Sequence, residues 1–203
     1  MLSACTSLAM LKSRRRVVAP LASFLVFPLC ILVHEFGHYS VALHYGWNAR
    51  LFPTLVTYHA DQTTDSERFN FLLAGPSVDA IQITAGIVLL FFCRGGQSRR
   101  AEVSYWIGVA LALVSMKWAV TPMIASVLPT CDERQMSLLL GWHWLALPCV
   151  VAILGALALI SLLKLHSHRG RLMELVPAVV FGGMGVIAWV KVIGPMVLRA
   201  DAR

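Results

Sequence analysis

Residues 31–40 read ILVHEFGHYS, an apolar run that carries His34, Glu35 and His38. On an α-helix, positions i and i+4 lie about 40° apart in azimuth and one turn apart along the axis. The two imidazoles therefore face the same side, where both can reach one metal ion at about 2.0–2.1 Å. Glu35 stands about 100° round from His34, beside such an ion rather than on it. A carboxylate there can take a proton from a water that the ion polarises, and the water can then attack a carbonyl carbon. That is the division of labour in H-E-x-x-H on a helix: two ligands and a general base. The plainer alternative is three buried polar groups satisfying one another. An ionisable side chain near mid-bilayer costs about 3 kcal/mol on insertion scales, so three at metal-site spacing are better explained together than singly.

His44 follows His38 by six residues, the spacing of the extended motif H-E-x-x-H-x-x-G-x-x-H. The glycine that turns the chain out of the helix in that motif is replaced here by Val41. On a continuing helix His44 points about 240° away from His38. It is expected at the helix end near Gly46, off the metal.

Two aspartates compete for the third ligand position. At 1.5 Å of rise per residue, His34 and His38 lie about 16 and 10 Å below the end of their span, and Asp79 lies about 15 Å deep in the next. Asp132 follows Pro129 and would sit at the surface if its span were a straight rod. Lys117 changes the balance: it lies about 18 Å in from Pro129 and needs a partner, and Asp79 is at matching depth. With Asp79 held by Lys117, Asp132 is the expected ligand and Asp79 the second candidate. Residues 122–141 must then bend back into the bundle as a broken helix lining a wet cavity. Against this stands an ordinary solvated loop around CDER. Cys131 is a poor ligand for a hydrolytic site.

These residues need a membrane scaffold. Of 203 residues, 58% are hydrophobic and 13% charged, about half the charge of a soluble domain. The net charge of +7 comes from basic clusters between apolar runs, which is how membrane topology is signalled, and argues against nucleic acid as a partner. Five scattered cysteines (Cys5, Cys30, Cys93, Cys131, Cys149) form no disulfide framework. Five runs are long enough to cross a bilayer: 17–45, 69–93, 103–129, 142–165 and 173–198. The expected fold is all-α, a polytopic bundle of about five transmembrane helices in one domain, 1–203. The N-terminus reads as a retained signal anchor, with cleavage near Cys30 as the alternative. Lys12, Arg14, Arg15 and Arg16, then Arg94, Arg99 and Arg100, then Lys164, Arg169 and Arg171 place the N-terminus in the cytoplasm; Arg199 and Arg203 run against that pattern. Within 46–68, Leu51, Leu55, Val56 and Tyr58 form a β-favouring run, a strand or hairpin if not a plain interfacial loop. FGGMG at 181–185 offers a small-residue surface for close helix packing. His59 and His143 are expected as amphipathic interface side chains, and HSHRGR at 166–171 as a basic loop.

HEFGH in a transmembrane helix, with LAGPSVD opening the next span, resembles the site-2 protease family of intramembrane zinc metalloproteases. The resemblance covers the first motif and Ala74–Gly75–Pro76 well and residues 113–135 loosely, about half the chain. It departs at Asp79, where the family often has asparagine, and in lacking the family's later asparagine–proline and aspartate–glycine signature; the nearest counterpart is TPMIASVLPTCDERQ. It implies Zn2+ on His34, His38 and an aspartate, with Glu35 as general base, and a membrane-embedded protein or peptide as substrate. It also implies that a strand in loop 46–68 binds extended substrate by edge pairing. The expected location is integral and multi-pass, with a bacterial cell membrane as the working assignment; family members commonly open toward the cytosol, whereas the arginine count puts this site on the other face. A metal-binding transporter or sensor using the same histidines without hydrolysis is the competing reading, and a scaffold without metal the third.

Overall fold

The computed structural model describes residues 2–60, 62–93, 96, 98–167 and 175–198, with only the backbone path for 2–16. Arg94, Arg169, Arg171, Arg199 and Arg203, used above for orientation, lie outside the described residues, as does most of HSHRGR.

The first helix, α1 (Leu2–His44), begins well before the expected span and runs unbroken through Pro20 and Pro28. Its part from Val17 to His44 is long and apolar enough to cross a membrane. The helix stops where Gly46 takes φ +71°, a left-handed conformation open to glycine at no steric cost. The amides of Tyr45, Gly46 and Trp47 then turn back onto the carbonyls of Val41, Leu43 and Ala42. His44 sits at this end as expected, its ring against Tyr45.

The β-favouring run does form a hairpin. Strand β1 (Asn48–Phe52) pairs antiparallel with β2 (Leu55–His59), Phe52 opposite Leu55, so Pro53 and Thr54 make the turn. Helix α2 (Asp65–Cys93) starts four residues earlier than its apolar run, because Thr64 and Glu67 form a reciprocal cap. Glu67 N–H donates to Thr64 Oγ1 (3.2 Å) and Thr64 N–H to Glu67 Oε2 (2.9 Å), which satisfies two otherwise orphaned donors.

The third span is broken. It comprises α3 (Arg99–Ala112), α4 (Ser115–Ala119) and α5 (Thr121–Val127), with a 51° bend between Ala119 and Thr121. Pro122 falls in the first turn of α5, where its missing N–H costs nothing, and it disfavours helix in the residue before it. After a turn at Pro129–Thr130 the short α6 (Asp132–Leu139) follows. The fourth span, α7 (Ala146–Ser167), starts later than expected, because Gly141 at φ +71° and the turn over 142–145 keep the WHW segment out of the helix. The last is α8 (Leu175–Ala188), continued by a π-helical turn (Trp189–Ile193) and α9 (Gly194–Leu198). Four of these elements are long and apolar enough to span a membrane, five with the bent pair taken as one span. The protein is an all-α bundle with one small hairpin.

Its surface is inverted relative to a protein in water. Leu21, Leu25, Leu29 and Val33 recur every fourth residue on the outer face of α1 and are about half exposed, whereas Ser23, His34, His38, Asp79, Gln82 and Thr121 are buried. That arrangement suits lipid, where polar side chains must face the bundle interior. Helix α1 packs on α8, α2 and α3. Gly182 and Gly185 of the FGGMG segment lie against Phe27 and Phe24 of α1, the close packing expected of small residues. A cluster of Ala42, Trp47, Phe71, Leu72 and Met136 ties the end of α1 to α2 and α6. The hairpin turn is seated on the last span: Trp189 Nε1–H donates to the Pro53 carbonyl (3.0 Å), and Gly194 leaves room for the Pro53 ring.

Candidate metal centre

His34 and His38 lie one turn apart on the inner face of α1, both buried. Each ring is held from behind by an acceptor. His38 Nδ1 donates to the Phe71 carbonyl at 2.6 Å, and His34 Nδ1 to Asp79 Oδ2 at 3.1 Å. A carbonyl or carboxylate can only accept, so the proton is placed on Nδ1 and the lone pair on Nε2 of each ring. Asp79 is in turn held by Lys117, whose Nζ donates to the same Oδ2 at 3.0 Å. The depth-matched pair argued from sequence is present, and it stands behind His34 rather than on the ligand side.

The broken third span delivers the third donor. Helix α5 leaves α4 at the 51° bend, and the turn at Pro129–Thr130 starts α6 over the two histidines. Arg134 Nη1 donates to the Ala125 carbonyl (2.7 Å), and Leu147 N–H donates to Ser137 Oγ (3.0 Å), which fixes α6 between α5 and α7. Met136 anchors its apolar side in the cluster around Phe71. Asp132, in the first turn, then reaches down with Oδ2 at 3.2 Å from His38 Nε2 and 3.5 Å from His34 Nε2. The two Nε2 atoms are 3.3 Å apart.

Three donor atoms thus form a nearly equilateral triangle. Ligands at about 2.0–2.1 Å in tetrahedral array around one ion stand about 3.3–3.4 Å from each other. The edges of 3.2, 3.3 and 3.5 Å fit that spacing. Three lone-pair-bearing groups converging on one point repel unless a cation or a proton lies between them. His34, His38 and Asp132 could hold a metal ion; they are the single such group among the described residues. Three protein ligands leave a fourth position, the pattern of a reactive rather than a purely structural site.

That position faces a cavity of about 420 Å³ lined by Glu35 and Lys117, by Thr54, Leu55, Val56 and Tyr58 of the hairpin, and by Leu128 and Thr130 of the turn before α6. Glu35 is half-buried, within electrostatic reach of both histidines and Asp132. Cys131 donates its thiol to Glu133 Oε2 (2.9 Å), burial followed by the Glu133 carboxylate pushes its pKa up to about 12, and it lies outside the donor group. His44 and His143 are not in the donor group; His143 Nδ1 instead accepts from the Leu145 amide. Compared with protein-family models, with characterised proteins and with solved structures, the chain matches none.

Two features of the centre escaped the sequence. The Phe71 carbonyl that orients His38 belongs to a backbone that any residue type would supply. Gly75 is the other. A Cβ there would lie 2.6 Å from His34 Nε2 and closer still to His38 Nε2, so α2 can approach the ligand atoms at this position only as glycine. The AGP triplet carried that signal, as a resemblance without a stated physical role.

Proposed function

We propose that the chain is an intramembrane zinc metalloprotease that hydrolyses peptide bonds of membrane-embedded substrates. The observation that carries this reading is the donor triangle of His34, His38 and Asp132 opening onto a cavity that also holds the Glu35 carboxylate. Two imidazoles and a carboxylate at these separations suit zinc, and zinc in such a site acidifies water and polarises a carbonyl. Glu35 takes the proton from the attacking water and returns it to the leaving amine. Phe71 and Asp79 keep both imidazoles in the ligating tautomer, and Lys117 balances the charge of Asp79 in a place where an unpaired carboxylate would be costly. Strand β2 lines the cavity, and its outer edge pairs with no other strand among the described residues. An extended peptide can add there by backbone hydrogen bonds, with its scissile carbonyl toward the metal. The resemblance of HEFGH and LAGPSVD to site-2 proteases points the same way.

The test is Glu35→Gln in the full chain, reconstituted with zinc and given apolar membrane-spanning peptides, with cleavage mapped by mass spectrometry. The variant is expected to bind as much zinc as the wild type and to lose cleavage by about 10²–10⁴-fold. Equal cleavage by both proteins would refute the assignment of Glu35. Zinc binding with no cleavage by the wild type, or zinc flux across the liposome membrane in its place, would refute the protease.

A further inference from the structure

A second space adjoins the metal centre. It measures about 550 Å³ and lies between α1, α4, α5 and α8, with no residue of either hairpin strand in its lining. Its wall is apolar, made chiefly by Phe27, Ile31, Leu113, Met116, Ile124 and Val179. Polar groups reach it at one end, where His34, Glu35, Thr54, Asp79 and Lys117 stand; all of these but Asp79 also line the metal-side cavity. The two spaces therefore share the catalytic carboxylate and a histidine ligand. One is polar over about half its lining and bordered by a strand; the other is almost wholly apolar.

Gly183 completes the wall of the apolar chamber from α8. Its neighbours Gly182 and Gly185 are filled by Phe27 and Phe24 of α1, but a Cβ on Gly183 would have nothing within 4 Å. Packing against α1 accounts for the first two glycines and leaves the third unexplained. Gly183 is exposed, and an added side chain there would enter open space beside the chamber.

From this we infer that the chamber is a specificity subsite, which takes bulky apolar side chains (leucine, methionine or phenylalanine) directly beside the scissile bond. The inference rests on the protease reading above, but the occupancy of the chamber can be tested without turnover. Its size lies within the range of ligand pockets, of about 300–1,000 Å³. A side chain entering from a peptide laid along β2 passes Glu35 and His34 before reaching apolar wall, so its backbone remains at the reacting end. Val179 and Gly183 are one turn apart on α8 and bound the depth of the chamber together.

The probes are the hydroxamates of phenylalanine, leucine and alanine, which chelate zinc and differ only in side chain. Their affinities would be measured by calorimetry on the full, zinc-loaded chain in detergent. Phenylalanine and leucine hydroxamates are expected to bind at least about 10-fold more tightly than the alanine compound, the discrimination a hydrophobic pocket gives for added carbons. Gly183→Phe, which fills the chamber from its own wall, is expected to abolish that preference while leaving zinc per chain unchanged. Should that variant fail to fold, Val179→Phe fills the same space and carries the same expectation. Equal affinities in the wild type overturn the subsite; a lipid chain seated in the chamber would give that result. A preference that survives in the filled variant overturns it too, as does failure of all three compounds to bind. Cleavage without discrimination would remove the subsite and spare the protease, whereas discrimination without cleavage would do the reverse.

Discussion

Replacing Gly75 by alanine should strip the metal from a protein that is otherwise folded. The added Cβ would stand 2.6 Å from His34 Nε2 and nearer to His38 Nε2, against an ordinary carbon contact of about 3.5 Å. One side must yield by about 0.9 Å at His34 and by more at His38. The rings cannot swing freely, since His38 is held by the Phe71 carbonyl at 2.6 Å and His34 by Asp79 at 3.1 Å. Helix α2 cannot retreat without pulling away Phe71 and Asp79, which belong to the same helix. A metal site tolerates about 0.2 Å in its bond lengths, so a displacement several times larger breaks at least one ligand bond. Loss of an outer partner alone costs up to about 100-fold in metal affinity, and here the ligand atoms themselves move, so at least about 100-fold is expected. Overpacking would cost about 1–3 kcal/mol of stability, small enough for the bundle to survive. The assay is zinc per chain at equilibrium with a competing chelator, beside a thermal unfolding curve on the same sample. Wild-type zinc affinity in a folded Gly75→Ala protein would refute the geometry of the centre.

Other substitutions probe the supports in turn. Asp79→Asn should weaken zinc binding about 10–100-fold by removing the carboxylate behind His34, and should destabilise the fold by leaving Lys117 unpaired. Adding Lys117→Met to it should recover part of that stability, with a coupling of about 0.5–3 kcal/mol in a double-mutant unfolding cycle, and strict additivity would show that the pair is not coupled. Asp132→Ala should release zinc on dialysis whereas Cys131→Ser should retain it; the opposite result would move the ligand by one residue and refute the donor triangle.

How far the sequence could be read depended on whether a feature is written in side chains. Four-residue spacing puts His34 and His38 on one helix face whatever surrounds them. Asp132 was reached indirectly, through the demand of Lys117 for a partner at its own depth, and the Lys117–Asp79 bond at 3.0 Å is the contact that demand required. The bend that carries α5 and α6 back toward α1 was visible in outline at Pro122. Span limits were less legible. The Thr64–Glu67 cap lengthens α2 and the Gly141 turn shortens α7, and both act through a few polar residues beside a long apolar run. Least legible were functions of backbone: the Phe71 carbonyl, the close approach at Gly75, and the π-helical turn at Trp189, whose widened geometry no residue type announces.

The seating of the hairpin turn also joins distant parts of the chain. Pro53 and Trp189 are bonded across 136 residues, so the wall of the cavity built by residues 54–58 rests on a segment made long after it. Until that segment is inserted, His34, Glu35 and His38 are present beside a hairpin that lacks one of its supports. On the proposed function, a chain cut before Trp189 would keep His34, Glu35 and His38 but hold the wall beside them less firmly.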